Sequence, residues 1–172
     1  MFDQPDEYEY HGLMAETWDL FRGDTSQWQD RFFYLECIEK YGQPVLDVGC
    51  GTGRLMLDYL ALGIQIDGVD NSPEMLSMCS QKASLLGLCP NLHEQGMEML
   101  ALPRLYRTIL VPSSSFQLLL EVEQARRAMR RLYEHLLAGG ALVMPFMLLW
   151  QPGDPVENTT WELVAEKTRP SD

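Results

Sequence analysis

Val45-Leu46-Asp47-Val48-Gly49-Cys50-Gly51-Thr52-Gly53-Arg54-Leu55 decides the architecture. Four residues that read as a buried strand run into three glycines at alternate positions, and a helical pattern follows. Glycine carries no side chain, so a ligand can approach the main chain closely there, and positive φ is open to it. A helix beginning near Gly53 offers unpaired N–H groups to a negative group. Those features suit a phosphate or a carboxylate equally well. The spacing is more selective. The dinucleotide fingerprint is G-x-G-x-x-G, and here the third glycine comes one residue early. A phosphate-binding loop of the G-x-x-x-x-G-K-[ST] type is absent, because Arg54 and Leu55 follow Gly53.

The next strand reads as residues 64–69 and ends at Asp70. A carboxylate in that place can accept two hydrogen bonds from a ribose diol. Upstream, Trp28, Phe32, Leu35 and Ile38 recur at helical spacing, so residues 28–41 are expected to be helical, with Gly42 and Pro44 as the stop. A helix is expected from Gly53 to about Leu62, closed by Gly63. Another should start at Ser72-Pro73, with serine as N-cap and proline at the first helical position, and run to about Leu86.

Weaker and stronger strands are expected at 91–95 and 108–111. A helix over 121–137 should bury Val122, Ala125, Met129, Leu132 and Leu136, with Gly139-Gly140 ending it, and a strand over 141–148 should follow. Residues 160–167 alternate loosely. Strand–helix alternation over 44–148 predicts an α/β fold, a doubly wound, mostly parallel sheet with helices on both faces. Three units follow: an N-terminal helical or lid segment (1–41), a Rossmann-like binding domain (42–150), and the start of a C-terminal strand or substrate-covering insertion (151–172).

Composition narrows the function. The chain has 172 residues, enough for one sizeable core, and a formal charge of −12 from 25 acids and 13 bases. That balance argues against extended binding to nucleic acid or anionic membranes. The densest basic spot, Arg126, Arg127, Arg130 and Arg131, is expected to be a solvated helix face. No apolar run approaches the roughly 20 residues of a spanning helix. Cys37, Cys50, Cys79 and Cys89 form no metal-ligand spacing and read as reduced thiols of a cytoplasmic protein.

VLDVGCGTGRL followed by IDGVDNSPEML resembles the first two motifs of class I S-adenosylmethionine-dependent methyltransferases, and HLLAGGALVM resembles their helix-to-fifth-strand segment, with Ala138 where proline is usual. The resemblance covers about residues 35–148. It implies S-adenosylmethionine as cofactor. It places Gly49, Gly51 and Gly53 along the methionine and ribose edge, Asp47 near the ammonium group, Asp70 on the ribose hydroxyls and Asn71 beside adenine. Cys50 in the turn and Pro112 after the fourth strand belong to the same implied set, as do Gly96 and Met97. Relatives often carry an acid where Gly96 stands, which binds the adenine amino group; Met97 is left to serve adenine, and Gly96→Asp is expected to strengthen binding. An acid usual near the fourth strand is Arg107 here.

Methyl transfer from a sulfonium asks the protein mainly to align donor and acceptor, so no catalytic triad is required. A base is needed only where the acceptor must lose a proton. His11 is a candidate for the acceptor site, His93 reads as structural, and His135 sits near a helix end where a cation is favourable. Tyr8, Tyr10, Trp18 and Phe116 are candidates for a lid. The motif [DN]-P-P-[YFW] of amino-methylating enzymes is absent, which with the acidic charge points to a small-molecule substrate and no nucleic acid or membrane partner. The expected function is methyl transfer to a small molecule; the alternative is a non-catalytic S-adenosylmethionine-binding or regulatory protein. The glycine spacing disfavours a nicotinamide oxidoreductase. The resembled fold has seven strands, and five are legible here. An apolar fifth-strand edge is an association hazard, so either a longer protein or a homo-oligomer paired through that edge is expected, with residues 159–167 folding back on the edge or belonging to an acceptor-covering insertion as the alternative.

Overall fold

The computed structural model describes residues 10–146. One parallel sheet contains β1 (Val45–Val48), β2 (Ile66–Asp70), β3 (Asn91–Glu94), β4 (Tyr106–Leu110) and β5 (Leu136–Val143), in the order β3-β2-β1-β4-β5. Every residue of β1 and β2 is buried. A parallel strand covered on both faces needs apolar residues on both, so Val45-Leu46 and Val48 do not alternate with exposed polar residues.

Among the described residues there are five α-helices: α1 (Leu13–Arg22), α2 (Gln29–Tyr41), α3 (Met56–Ala61), α4 (Pro73–Leu85) and α5 (Val122–Glu134). Successive strand residues point to opposite faces, which divides the core. Val45 and Ile66 pack with Ile38 of α2, Tyr59 of α3 and Cys79 of α4, while Leu46, Val48, Val69 and Ile109 pack with Leu132 of α5. Helices therefore lie on both faces, as a doubly wound sheet requires.

The start signals act as their chemistry dictates. The Ser72 hydroxyl accepts the Met75 N–H at 3.2 Å, capping α4 with Pro73 in its first turn. Gly42 closes α2, its N–H donating to the Ile38 carbonyl at 2.8 Å. A buried polar cluster fastens β2 to β4: Asp67 accepts from Arg104 Nε and Nη2 and from the Tyr106 hydroxyl, each at 2.8 Å.

Several boundaries differ from expectation. α3 begins at Met56 because residues 51–55 are a turn. Within the expected N-terminal helical or lid segment, α1 has no apolar stripe to mark its bounds, because Ala15 is its one buried residue. α5 buries Ala128 and Leu132, whereas Val122 and Met129 are exposed; the polar flank of Arg126 and Arg130 extends further around than the apolar count implied. Gly139-Gly140 does not end that helix. It lies inside β5, where the register against β4 slips between Tyr106 and Thr108. The reason is close backbone approach: a Cβ on Gly140 would meet the carbonyl oxygens of Arg107 at 2.8 Å and Leu137 at 2.9 Å. The looser stretch at 160–167 lies outside the described residues.

Among the described residues no helix is long and apolar enough to cross a membrane. The four α5 arginines are solvent-facing, and two of them pair along the helix, Arg126 with Glu123 and Arg131 with Glu134.

Gly140→Ala is expected to destabilise the fold by about 1–3 kcal/mol, since both carbonyls it meets are fixed in the sheet. Urea unfolding checks this; an unchanged midpoint would show that the bulge accommodates a methyl group.

Candidate functional site

The chain leaves β1 and β4 in opposite directions, because strand order reverses between them. A crevice forms outside the carboxyl ends at such a point. It holds a cavity of about 540 Å³. The turn after β1 forms its floor, Asp70 and Asn71 follow β2, Gln95 to Glu98 follow β3, and Pro112 to Ser115 follow β4. Tyr10, Trp18 and Arg22 of the N-terminal segment form another wall.

The three glycines do different work. Gly49 lets the β1 and β4 loops meet, since a Cβ there would sit 2.8 Å from Ser115 Oγ. Gly51 has φ +54° and open space where a Cβ would project, so the backbone conformation demands glycine and the cavity keeps its room. Gly53 is placed differently from the other two. Its Cβ would meet Cys79 Sγ at 2.6 Å and Leu57 at 2.8 Å, so it packs α3 against α4 and does not line the cavity.

Two acids sit at the floor. Asp70 is buried; its Oδ2 accepts the Gly51 N–H at 2.8 Å and its Oδ1 the Ser72 N–H at 2.9 Å. Burial raises its pKa against the opposing pull of those N–H groups and that of Asn71. Asp47 is buried more deeply, and its Oδ1 has no hydrogen-bond partner among the described residues. Burial pushes its carboxyl up to about 7; the Arg54 charge opposes this and Asp70 adds to it. Buried polar atoms are nearly always paired, so an unpaired carboxylate oxygen on a cavity floor marks a place for a donor or a cation.

The rim is cationic and aromatic. Arg54 holds Asp30 through two bonds of 3.0 and 2.6 Å. The Arg22 guanidinium lies 4.4 Å from the Trp18 ring centroid and 5.6 Å from that of Trp28. Burial, and then the neighbouring Arg54 charge, lower the Arg22 pKa. The N-terminal segment is fastened across the site. Ser72 Oγ donates to the Tyr10 carbonyl at 2.5 Å and the Gly12 N–H to Glu74 at 2.6 Å. Asp19 accepts from Thr52 Oγ1 at 2.6 Å and from Lys82 Nζ at 2.8 Å.

Gly53 aside, every residue of the expected cofactor set lines this one cavity: Asp47, Gly49, Cys50, Gly51, Asp70, Asn71, Gly96, Met97 and Pro112. Of the lid candidates, Tyr10 and Trp18 do so, 4.8 Å apart in an edge-to-face pair. Phe116 instead packs on the α5 side of the sheet and against Phe146, and Tyr8 lies outside the described residues. His11 is not on the cavity wall. His135 is buried as a structural link, its Nε2 accepting the Leu102 N–H at 3.0 Å and its Nδ1 2.7 Å from the Arg131 carbonyl.

Arg22, Arg54 and Glu98 line the cavity although they lie outside the expected set, whereas Ser115 belongs to the run 111–116 after the fourth strand that the resemblance turns toward the methyl group. Arg54 directly follows the last motif glycine, and Trp18-x-x-x-Arg22 is a spacing that puts two side chains on one helix face. Glu98 changes the reading of Gly96. Both its carboxylate oxygens lie 2.7 Å from where a Gly96 Cβ would be. An acid added at 96 lands on an acid already present, so the gain expected from Gly96→Asp does not follow.

The chain matches the methyltransferase-domain family over residues 45–140, more than half of its length. A methyltransferase-named protein of Geobacillus sp. (strain WCH70) is 31% identical over 140 residues, covering 79% of this chain and 53% of that protein. An S-adenosylmethionine-dependent methyltransferase from Clostridium acetobutylicum ATCC 824 is similar in structure, with TM-score 0.63 and 27% identity, over 75% of this chain and 54% of the other. The sugar N-methyltransferase KedS8 from Streptoalloteichus sp ATCC 53650 has TM-score 0.67 and 25% identity, over 92% of this chain and 64% of the other. The chain thus spans about half to two thirds of the length of these relatives.

Asp47 holds its proton more tightly folded than unfolded, so stability is fully present below about pH 4 and is lost as pH rises through about 7. Asp47→Asn removes that loss. The ligand-free variant is expected to overtake the wild type as pH rises, reaching an advantage of about 2–4 kcal/mol near pH 8. Urea unfolding across pH checks this; parallel profiles would mean that Asp47 ionises normally.

Proposed function

The chain belongs to the methyltransferase-domain family, on the class I S-adenosylmethionine-dependent fold, and from this premise we propose that it transfers a methyl group from that cofactor to a small-molecule acceptor. The unpartnered Asp47 Oδ1 carries the reading, since it waits at the floor of the cavity beside the glycine turn. When bound, the cofactor supplies a methyl group on a sulfonium, a leaving group that is already activated.

The residues fit that molecule. Asp47 faces its cationic methionine end, and a cation there favours the ionised carboxylate that burial alone opposes. Gly51 leaves the main chain open to close approach. Each oxygen of Asp70 accepts one backbone N–H and retains a lone pair for a ribose hydroxyl. Asn71 and Met97 border the adenine, with Cys50 and Pro112 completing the enclosure. The acceptor enters between the β4 loop, Ser113 to Ser115, and the wall of Tyr10 and Trp18. These walls fix the approach of the acceptor, and such positioning is where most of the rate gain of a displacement at carbon arises.

A small-molecule acceptor agrees with the acidic charge of −12 and with the exposed arginines of α5, two of which pair with glutamates of the same helix. The sugar N-methyltransferase likeness supports placing amines of sugar-sized molecules first in any screen. Titration calorimetry with S-adenosylhomocysteine, followed by methyl transfer over a panel of amino sugars, amino acids and simple amines, tests the proposal. Binding and turnover are expected. Tight binding with no turnover across a broad panel would favour the non-catalytic alternative, and no binding would remove both.

Asp70→Ala is expected to weaken S-adenosylhomocysteine binding by about 1.5–3 kcal/mol, roughly 10- to 150-fold, as for hydrogen bonds to a charged group. Calorimetry on the folded variant reads this. Unchanged affinity would remove the ribose from that carboxylate.

A further inference from the structure

We propose that the outer face of α5 is a docking surface for a partner protein, and that the partner presents to it a helix carrying acidic and apolar residues on one side. The proposal is independent of the cofactor reading above, because none of the residues that form the surface lines the cavity.

The residues of α5 divide by their spacing. Ala128 and Leu132 are its buried residues. At 3.6 residues per turn, Val122, Arg126, Met129, Arg130 and Tyr133 share a stripe roughly 100° wide on the solvent side. Val122, Met129 and Tyr133 are 64%, 41% and 76% exposed, so they add nothing to the core of this chain. A helix with one core stripe ordinarily carries polar residues there. Methionine, tyrosine and arginine are also the types enriched where protein surfaces meet.

The charge of the stripe is equally uneven. The chain has 13 basic residues and a net charge of −12, yet four arginines stand at 126, 127, 130 and 131. Arg126 and Arg131 hold Glu123 and Glu134 in exposed pairs three residues apart, which are weak and readily exchanged. Arg127 and Arg130 have neither a hydrogen bond nor an ion pair among the described residues. The surface also adjoins the cavity. Gln124, in the first turn of α5, lines it, and the 3-10 turn Met97–Met99 packs against the same helix.

Charge decides the occupant. A second α5 laid antiparallel and centred on the arginines sets Arg126 against Arg131 and Arg127 against Arg130, and a parallel one sets each against itself. Both bring like charges together, which is costly. A nucleic acid or an anionic bilayer carries its charge over a wide front, where the net acidity of the chain repels it. The field of a single acidic helix is confined to about one Debye length, roughly 8 Å at physiological salt. Its carboxylates take the arginine forks, and its aliphatic side chains cover Val122, Met129 and the Tyr133 ring.

Fluorescence anisotropy tests this with labelled, capped peptides of about 20 residues, long enough to be helical. One is an amphipathic glutamate–leucine helix, one its lysine–leucine counterpart, and one a glutamate–alanine helix without the apolar stripe. The glutamate–leucine peptide is expected to bind the wild type at least about 10-fold more tightly than either of the others at about 0.15 M salt. Arg126→Glu/Arg130→Glu should weaken that binding about 10- to 100-fold, and Met129→Ser/Tyr133→Ser about 10-fold. Circular dichroism and the urea midpoint should stay unchanged in both, since all four side chains face solvent. Equal binding of the lysine–leucine peptide would reduce the surface to unspecific apolar adhesion, and equal binding of the glutamate–alanine peptide would reduce it to charge alone. Either result overturns the proposal, as does undiminished binding in the charge-reversed variant or no binding by the wild type. Tighter binding to phosphatidylglycerol vesicles or to duplex DNA would overturn it by changing the class of partner. A dimer in light scattering that Arg126→Glu/Arg130→Glu dissolves would overturn it by giving the face to a second copy.

Discussion

The Asp70 carboxylate is the junction on which the site depends. Through one oxygen it holds the Gly51 N–H, and through the other the Ser72 N–H. The first bond fixes the glycine turn after β1, and the second fixes the start of α4. Ser72 then passes the constraint on, because its hydroxyl accepts from Met75 and donates to the Tyr10 carbonyl. A strand end, a turn, a helix cap and the N-terminal wall are thereby set relative to one another. Each bond is a charge-assisted or buried contact, stronger than its exposed counterpart. The arrangement ties together loops that wall the ligand cavity.

Electrostatically the cavity opposes its own fold. Two carboxyls share a floor from which water is largely removed, and one of them has an oxygen with no partner. Desolvation of that group costs stability, and Arg54 offsets only part of it because Asp30 already holds its guanidinium in a two-bond grip. Stability sacrificed at a binding site is a common trade against function. Here the compensation lies in the sheet, where Asp67 is fully satisfied by Arg104 and Tyr106 and both faces are closely packed.

Much of this was legible in the sequence, for identifiable reasons. VLDV, the glycine turn and the acid ending β2 are short-range patterns, and each is set by steric or hydrogen-bonding demands that act within a few residues. Ser72-Pro73 belongs to the same class. What escaped depends on contacts distant in the chain. α1 is held by polar links to residues such as Glu74 and Lys82 rather than by an apolar stripe. The glycine pair in β5 answers to Arg107 on the adjacent strand. Gly53 has the spacing of a ligand-facing glycine, yet it answers to Cys79. Glu98 was hidden because a single 3-10 turn brings its carboxylate over a residue two places earlier, which spacing alone does not reveal.

The unpaired oxygen of Asp47 also has a calorimetric consequence. Because burial pushes the Asp47 carboxyl up to about 7, the protein holds part of a proton there at pH 7 when no ligand is bound. A cation drawn beside Oδ1 lowers that pKa and expels the proton to solvent. The heat of ligand binding then contains the ionisation enthalpy of whichever buffer accepts it. Titrations in phosphate and in Tris would give different apparent enthalpies for one affinity, and the difference would count the protons released.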